Sequence, residues 1–149
     1  MDKERVLFLC TGNSARSQMA EAFLRDYAGD RYEVHSAGLE PQGINPYTVK
    51  VLNEIGIDIS DHRSKSVREY MGHVIFTYVI TVCDHAEEHC PTIFVQQSNH
   101  LHWSFEDPAA LSVSSEGKMV KFREVRDQIR HQVQQWVDEK SISNVSEAI

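Results

Sequence analysis

The distribution of apolar residues in the first third of the chain predicts two strands with a helix between them. Residues 5–10, RVLFLC, form a short apolar run that ends on a cysteine. Residues 15–27 carry apolar side chains at the three- and four-residue intervals of a helix, and Gly29 follows as a stop signal. Residues 32–38 predict the second strand.

A second helix and a buried strand follow in the middle of the chain. Asn45 and Pro46 predict the start of the helix, because proline suits the first helical turn, and Gly56 closes it. Residues 74–82, VIFTYVITV, are a continuous run of β-branched and aromatic side chains. This run predicts a central strand that is buried on both faces.

The last third of the chain predicts one short strand and one long helix. Residues 84–99 are rich in His and Glu and predict a loop, and residues 101–105 predict a short strand. Residues 116–140 predict the longest helix. Its expected core face consists of Val120, Phe122, Val125, Ile129, Val133, Trp136 and Val137. Residues 141–149 are expected to form a disordered tail.

Strands that alternate with helices predict an α/β fold, with a central four-stranded parallel sheet flanked by helices on both faces. The length of 149 residues suits a single domain, which we place at residues 1–140. Ligands of such sheets bind beyond the carboxyl ends of the strands. Cys10, Ser36, Cys83 and Asp107 each fall at or just past a predicted strand end, so we expect them to meet at one edge.

The charge of the chain argues against general nucleic-acid binding. The formal net charge is −7, whereas nucleic-acid binding needs a basic face. An acidic protein can still bind an anion through a local positive field. The first apolar run is too short for a signal peptide, and no stretch approaches the roughly 20 apolar residues of a membrane span. We therefore expect a cytoplasmic monomer with no membrane partner.

The three cysteines, Cys10, Cys83 and Cys90, are an odd number without a secretory signal. Catalytic, redox or metal-binding roles are therefore favoured over a disulfide framework, with simple burial as the alternative. Several histidines lie close to Cys83 and Cys90 and raise the possibility of zinc. Structural zinc sites usually contain a C-x2–4-C pair, which this sequence lacks, so we predict no metal and no cofactor.

The segment between Cys10 and Arg16 contains only small or polar residues. Such a loop between a strand and a helix can wrap its backbone N–H groups around an anion, and the helix N-terminus and an arginine add positive charge. We expect the same field to lower the pKa of the Cys10 thiol well below its free value. The predicted oxyanion-binding residues are Thr11, Gly12, Asn13, Ser14, Ala15, Arg16 and Ser17.

The spacing C-x5-R-S resembles the motif of protein tyrosine phosphatases, and its N-terminal position resembles the low-molecular-weight phosphatases. The fuller string CTGNSARSQMAE, with SAG at residues 36–38, TVCDHAEEHCP at 81–91 and HWSFEDPA near Asp107, resembles the arsenate reductases built on this phosphatase fold. The resemblance extends from about residue 5 to residue 140. It is strongest to the thioredoxin-coupled branch.

The resemblance implies roles for the residues of the loop and for Asp107. Arsenate would be held by the backbone amides and by Arg16, and the Cys10 thiolate would attack arsenic. Asp107 would protonate the departing oxygen as general acid. Ser17 would steady the thiolate, and Asn13 would fix the shape of the loop.

The resemblance also implies a relay of three thiols. Cys83 would attack Cys10 in the covalent adduct, releasing arsenite and forming a Cys10–Cys83 disulfide. Cys90 would then attack Cys83 and form a Cys83–Cys90 disulfide. A dithiol supplies the two electrons that the reduction of arsenate requires. Bridged cysteines need Cα atoms within about 7 Å, so we expect the segment between Cys83 and Cys90 to change conformation with redox state.

Other assignments remain open at this stage. Thioredoxin is the expected electron donor, with glutaredoxin or a low-molecular-weight thiol as alternatives. A phosphatase acting on phosphomonoesters or phosphotyrosine, and a non-catalytic oxyanion or metal sensor, are the alternative functions. Ala109 and Ala110 follow Asp107-Pro108, where phosphotyrosine-specific relatives usually carry tyrosine.

Some relatives hold a potassium ion behind the loop, with residues that match Asn13, Glu21 and Ser36 and one further acidic residue. Lys65 falls at the position of that acidic residue. Its ammonium group would take the place of the ion, so we assign no metal there.

Overall fold

A computed structural model describes residues 3–110 and 113–148 of the chain, with side chains as far as residue 142. Four strands form one parallel sheet in the order β2-β1-β3-β4. The predicted α/β fold class is confirmed. The strands are β1 (Glu4–Cys10), β2 (Tyr32–Gly38), β3 (Tyr78–Thr81) and β4 (Asn99–His102).

Five α-helices and one 3₁₀ turn connect and cover these strands. The 3₁₀ turn spans Val67–Glu69. The helices are α1 (Arg16–Ala28), α2 (Pro46–Asn53), α3 (Asp84–Glu88), α4 (Thr92–Gln97) and α5 (Ser115–Ala148). The Asn45 side chain caps α2 by accepting a hydrogen bond from the backbone N–H of Tyr47, as the sequence Asn-Pro predicts.

Both faces of the sheet bury apolar side chains, because β1 lies between two strands and its residues from Val6 to Cys10 are buried. On one face, the Trp136 ring of α5 packs against Tyr32 and Tyr78 at centroid distances of 5.3 and 5.0 Å. His35 lies three residues after Tyr32, so its side chain points to the opposite face. There it packs edge-on against Tyr70 and Phe76.

Four predictions about local structure are wrong. Residues 84–99 contain helices α3 and α4 rather than only a loop, because Cys83 caps α3 by accepting a hydrogen bond from the backbone N–H of Ala86 (3.4 Å). The third strand spans Tyr78–Thr81 rather than residues 74–82, and the fourth spans Asn99–His102 rather than residues 101–105. Val120 is 60% exposed rather than in the core, since it lies two residues, about 200° of helical turn, from the buried Phe122.

The last helix also extends further than predicted. The sequence predicts its end at residue 140, whereas α5 continues to Ala148 without a glycine or proline to end it. The other predicted core positions of this helix are buried, from Phe122 to Val137. The domain boundary at residue 140 remains a prediction, which limited proteolysis of the intact chain would test.

Candidate active site

The loop after β1 has all of its carbonyl groups turned away from its centre. Four of these carbonyls accept backbone hydrogen bonds of 2.8–3.1 Å from the stretch after β2. The pairs are Cys10 with Leu39, Thr11 with Glu40, Gly12 with Gln42 and Ser14 with Asn45. The carbonyl of Asn13 accepts from the Gln18 side chain at 3.3 Å. In a trans peptide the next N–H points opposite to the carbonyl. The amides that follow these carbonyls therefore face inward and form a cup of donors, as the sequence predicts.

Gly38 allows this loop to approach the end of β2. A Cβ atom at Gly38 would lie 2.7 Å from the carbonyl oxygen of Thr11 and 2.8 Å from the backbone nitrogen of Asn13. Both distances are far below van der Waals contact. Any larger residue would therefore push the cup away from the second strand.

Asn13 holds the shape of the loop from inside. Its φ of +50° lies in the left-handed region, where asparagine is tolerated. Its side-chain nitrogen donates to the hydroxyls of Ser17 (2.8 Å) and Ser36 (2.9 Å), and its side-chain oxygen accepts from the backbone N–H of Lys65 (2.8 Å). This buried side chain thus ties together α1, β2 and the segment before the 3₁₀ turn.

The Cys10 thiol lies at the base of the cup, only 3% exposed. Its Sγ atom is 2.8 Å from the Ser17 hydroxyl and accepts the Asn13 backbone N–H at 3.2 Å. Because Ser17 already accepts from Asn13, the Ser17 proton is free to point at the sulfur. Burial raises the pKa of Cys10, and the hydrogen bonds from Ser17 and Asn13 oppose that rise without cancelling it. The expected net lowering of the pKa is therefore wrong: the sequence reveals the donors but not the depth of burial.

Arg16 and Asp107 meet at the mouth of the cup. The Arg16 guanidinium donates to the carbonyl oxygen of Phe105 (3.0 Å), and it lies 3.9 Å from the Asp107 carboxylate. Asp107 is half exposed and accepts the backbone N–H of Ala109 at 2.9 Å. An anion in the cup would thus meet the Arg16 cation and the Asp107 carboxyl group close together at the mouth.

The space above Cys10 is a cavity of about 390 Å³. Its lining includes Gln42, Asn45 and His85, which the sequence analysis did not assign to the site. The sequence predicts Asn45 only as the start of a helix. Its role in the site depends on the hydrogen bond from its backbone N–H to the Ser14 carbonyl, and because the two residues are distant in sequence, no local pattern indicates this contact.

Cys83 lies next to the cup, at the start of α3. It is 2% exposed, and its Sγ atom is 3.5 Å from the Thr11 hydroxyl. Because Leu9 and Thr81 pair across β1 and β3, Cys10 and Cys83 emerge side by side at the ends of neighbouring strands. Of the four residues expected at one edge, Cys10 and Asp107 line the cavity and Cys83 lies beside it, whereas Ser36 lies behind the loop against the Asn13 side chain.

Cys90 lies beyond the other end of α3 and is partly buried. Burial and the nearby Glu87 carboxylate raise its pKa to about 11. All three cysteines are free thiols. Cys83 and Cys90 are thus separated by one short helix, and a bond between them requires that helix to rearrange.

A buried carboxylate lies behind the loop. Glu21 is 4% exposed, accepts the hydroxyl proton of Ser36 and pairs with Arg25 at 2.7 Å. The Lys65 ammonium lies 3.7 Å from Glu21 and donates to the carbonyl of Arg63 at 3.1 Å. Burial lowers the pKa of Lys65, and Glu21 opposes that change. A positive group therefore occupies the space beside the oxygens of Glu21.

Neither a metal cluster nor a membrane helix is found in the parts of the chain that the structure describes. In residues 3–110 and 113–148, no group of three His, Cys, Asp or Glu side chains is arranged to hold a metal ion. Within the same ranges, no helix combines the length and the apolar composition needed to cross a bilayer.

Comparison with known proteins gives consistent matches over almost the whole chain. Residues 5–147 match the family described as low molecular weight phosphotyrosine protein phosphatase. An arsenate reductase of Halalkalibacterium halodurans is 41% identical over 138 residues, which covers 93% of this chain and 98% of that protein.

Solved structures agree. An arsenate reductase in its oxidized state has a TM-score of 0.78 and 30% identity, and the match covers 91% of this chain and 98% of that one. A thioredoxin-dependent arsenate reductase of Corynebacterium glutamicum has a TM-score of 0.71 and 28% identity, covering 95% of this chain and 63% of that one.

Proposed function

The chain belongs to the low-molecular-weight phosphotyrosine protein phosphatase family, and we propose that its reaction within this family is the thiol-dependent reduction of arsenate to arsenite, for arsenic detoxification. The observation that carries this proposal is the placement of three free thiols along one path. Cys10 lies in the anion cup, Cys83 beside it, and Cys90 one short helix away. A phosphatase needs only the first of these thiols.

In the first step, arsenate binds in the cup through the inward amides of residues 11–15 and the Arg16 guanidinium. The Cys10 thiol loses its proton to solvent, and its thiolate is stabilised by the hydroxyl of Ser17 and the backbone N–H of Asn13. The sulfur attacks arsenic and displaces one oxygen. Asp107 protonates that oxygen, which leaves as water.

In the second step, the two electrons that arsenic needs come from two thiols. The Cys83 thiolate attacks the Cys10 sulfur of the adduct. The sulfur–arsenic bond breaks, its electron pair stays on arsenic as arsenite, and a Cys10–Cys83 disulfide remains. Cys90 then attacks Cys83, and Cys10 leaves as a thiolate into the hydrogen bonds that held it before.

The wall of the cavity argues against phosphotyrosine as the main substrate. Among the described residues that line it, none is tyrosine, tryptophan or phenylalanine, and Ala109 stands on the Asp107 side. A substrate ring would have only the His85 imidazole, and no larger aromatic side chain among these residues, to pack against. A small inorganic oxyanion needs only the amides and Arg16.

We also propose thioredoxin as the electron donor and the cytoplasm as the compartment. The relay ends in a Cys83–Cys90 disulfide, which is a substrate for a dithiol protein. All three thiols are free, as a reducing compartment requires. We propose a monomer that uses no metal and no bound cofactor, because the cup, Arg16, Asp107 and the three thiols supply every group that the proposed relay uses.

The test is a coupled assay that supplies arsenate, thioredoxin, thioredoxin reductase and NADPH. We expect arsenate-dependent NADPH consumption in the native chain and none in Cys83→Ser or Cys90→Ser. A matched assay follows hydrolysis of a small phosphomonoester. If the serine variants kept all of the turnover on arsenate, the relay would be wrong. If only phosphomonoester hydrolysis were measurable, the chain would be a phosphatase.

A further inference from the structure

The last exchange of the relay depends on a thiol that is poorly ionised in the folded protein. This inference rests on the proposed function, in which Cys90 attacks Cys83. With a pKa of about 11, roughly one Cys90 thiol in ten thousand would be a thiolate at pH 7. The thiolate is the nucleophile in thiol–disulfide exchange, so a neighbouring base would remove a large barrier.

His100 on β4 is placed to be that base. Its Nδ1 atom lies 4.0 Å from the Cys90 Sγ atom, and its Nε2 atom lies 2.7 Å from the Glu87 carboxylate. A carboxylate can only accept, so the proton of a neutral His100 must be on Nε2. The lone pair of Nδ1 then faces the thiol. The contact is long, as catalytic hydrogen bonds often are before the reacting complex forms.

Glu87 is itself held in place. Its carboxylate accepts the Thr81 hydroxyl at 2.6 Å in addition to His100. Burial raises the pKa of Glu87, but the hydrogen bonds from Thr81 and His100 outweigh it, and the net pKa is lowered. The carboxylate is therefore charged, fixes the tautomer of His100, and would stabilise an imidazolium.

We propose that His100 is the general base that takes the proton of Cys90, and that Glu87 is the residue that positions His100. The Cys90 proton passes to Nδ1, and the Cys90 sulfur attacks Cys83 of the Cys10–Cys83 disulfide. The Cys83–Cys90 bond forms as the Cys10–Cys83 bond breaks, and Cys10 leaves as a thiolate. His100 then releases its proton to solvent. No electron enters or leaves the protein in this step.

The position of Glu87 on α3 determines whether proton transfer or the rearrangement of α3 comes first. Cys90 faces His100 while α3 is folded, but it reaches Cys83 only when α3 rearranges. That rearrangement withdraws Glu87 from His100. Proton transfer therefore comes first, in the folded helix, and movement of the thiolate follows.

His102 provides a matched control on the same strand. It lies two residues from His100, and it also pairs with a carboxylate of α3, through Asp84 at 3.0 Å. Its other ring nitrogen contacts the Thr81 hydroxyl at 2.8 Å. Its Nδ1 atom also lies 3.8 Å from the Glu87 carboxylate, but among the described residues the ring that contacts the Cys90 Sγ atom is that of His100.

The test measures the reactivity of Cys90 without arsenate. In the full chain carrying Cys10→Ser and Cys83→Ser, Cys90 is the single thiol, and its alkylation by iodoacetamide is followed by mass spectrometry from pH 6 to 10. We expect His100→Asn to slow alkylation at pH 7 about tenfold or more, and to move the pH midpoint upward. His102→Asn should leave both unchanged. Glu87→Gln, which keeps the size of the side chain, should give a smaller loss.

A second measurement separates this inference from the proposed function. In single turnover with arsenate, the otherwise native His100→Asn chain should release arsenite normally and then accumulate the Cys10–Cys83 disulfide. Equal alkylation rates in the His100 and His102 variants, both folded by circular dichroism, would overturn the inference while leaving arsenate reduction intact. Failure of arsenate turnover with a clear His100 effect on Cys90 would instead overturn the proposed function alone.

Discussion

Replacing Ser17 by alanine should make the Cys10 thiol harder to ionise. The Ser17 hydroxyl lies 2.8 Å from the sulfur and is its main side-chain partner. A hydrogen bond to a charged group contributes about 1.5–3 kcal/mol, which corresponds to a pKa change of about 1–2 units. Because the bond stabilises the thiolate, its loss raises the pKa of Cys10. Alkylation and arsenate turnover at pH 7 should fall about 10- to 100-fold and recover at high pH.

The assay is the pH profile of Cys10 alkylation in a chain carrying Cys83→Ser and Cys90→Ser. Ser36→Ala is the matched control, because Ser36 is equally buried and also accepts from Asn13 (2.9 Å), but contacts no sulfur. The control should move the midpoint far less than Ser17→Ala does. If the two variants gave the same profile, or if Ser17→Ala lowered the midpoint, the assigned role of the hydroxyl would be wrong.

Four further results follow from the site. Asp107→Asn should lower kcat on arsenate by about 100- to 10,000-fold while Cys10 alkylation stays native, and a native kcat would exclude Asp107 as the acid. Potassium should give no more activity than sodium at equal ionic strength, because the Lys65 ammonium already lies beside Glu21; activation specific to potassium would contradict this. Gly38→Ala should lower the free energy of unfolding in urea by about 1–3 kcal/mol, because the new Cβ atom would lie 2.7 Å from the carbonyl oxygen of Thr11. An unchanged urea midpoint would show instead that the loop can shift to make room. Amide exchange in α3 should be faster in the oxidised than in the reduced protein, and equal protection would count against the redox rearrangement.

Local sequence patterns correctly predicted those features that depend on residues close together in the chain. The predicted strand at residues 32–38 has the bounds that the structure shows, and the small residues after Cys10 predicted the cup. The orientation of the cup could not be predicted in detail, because the donors that turn its carbonyls outward come from residues 39–45. Their pairing depends on a crossover that only the whole fold provides.

The errors have a common physical cause. The pKa of Cys10 was predicted from its donors, but its direction depends on burial by residues distant in the chain. The helix α3 was missed because its cap is a cysteine, which is not among the usual capping residues. The Glu87–His100–Cys90 arrangement joins two elements across the sheet edge, so no spacing in the sequence indicates it.

The outward carbonyls of the Cys10 loop set a condition for protein engineering. Four of them depend on amides from a separate stretch after β2. A C-x5-R heptapeptide grafted alone into a foreign scaffold would lack those donors. Each buried carbonyl left without a hydrogen bond would then destabilise the folded state by about 1–3 kcal/mol. The portable unit for building such a receptor is therefore two strand ends with their turns, which must be transplanted together.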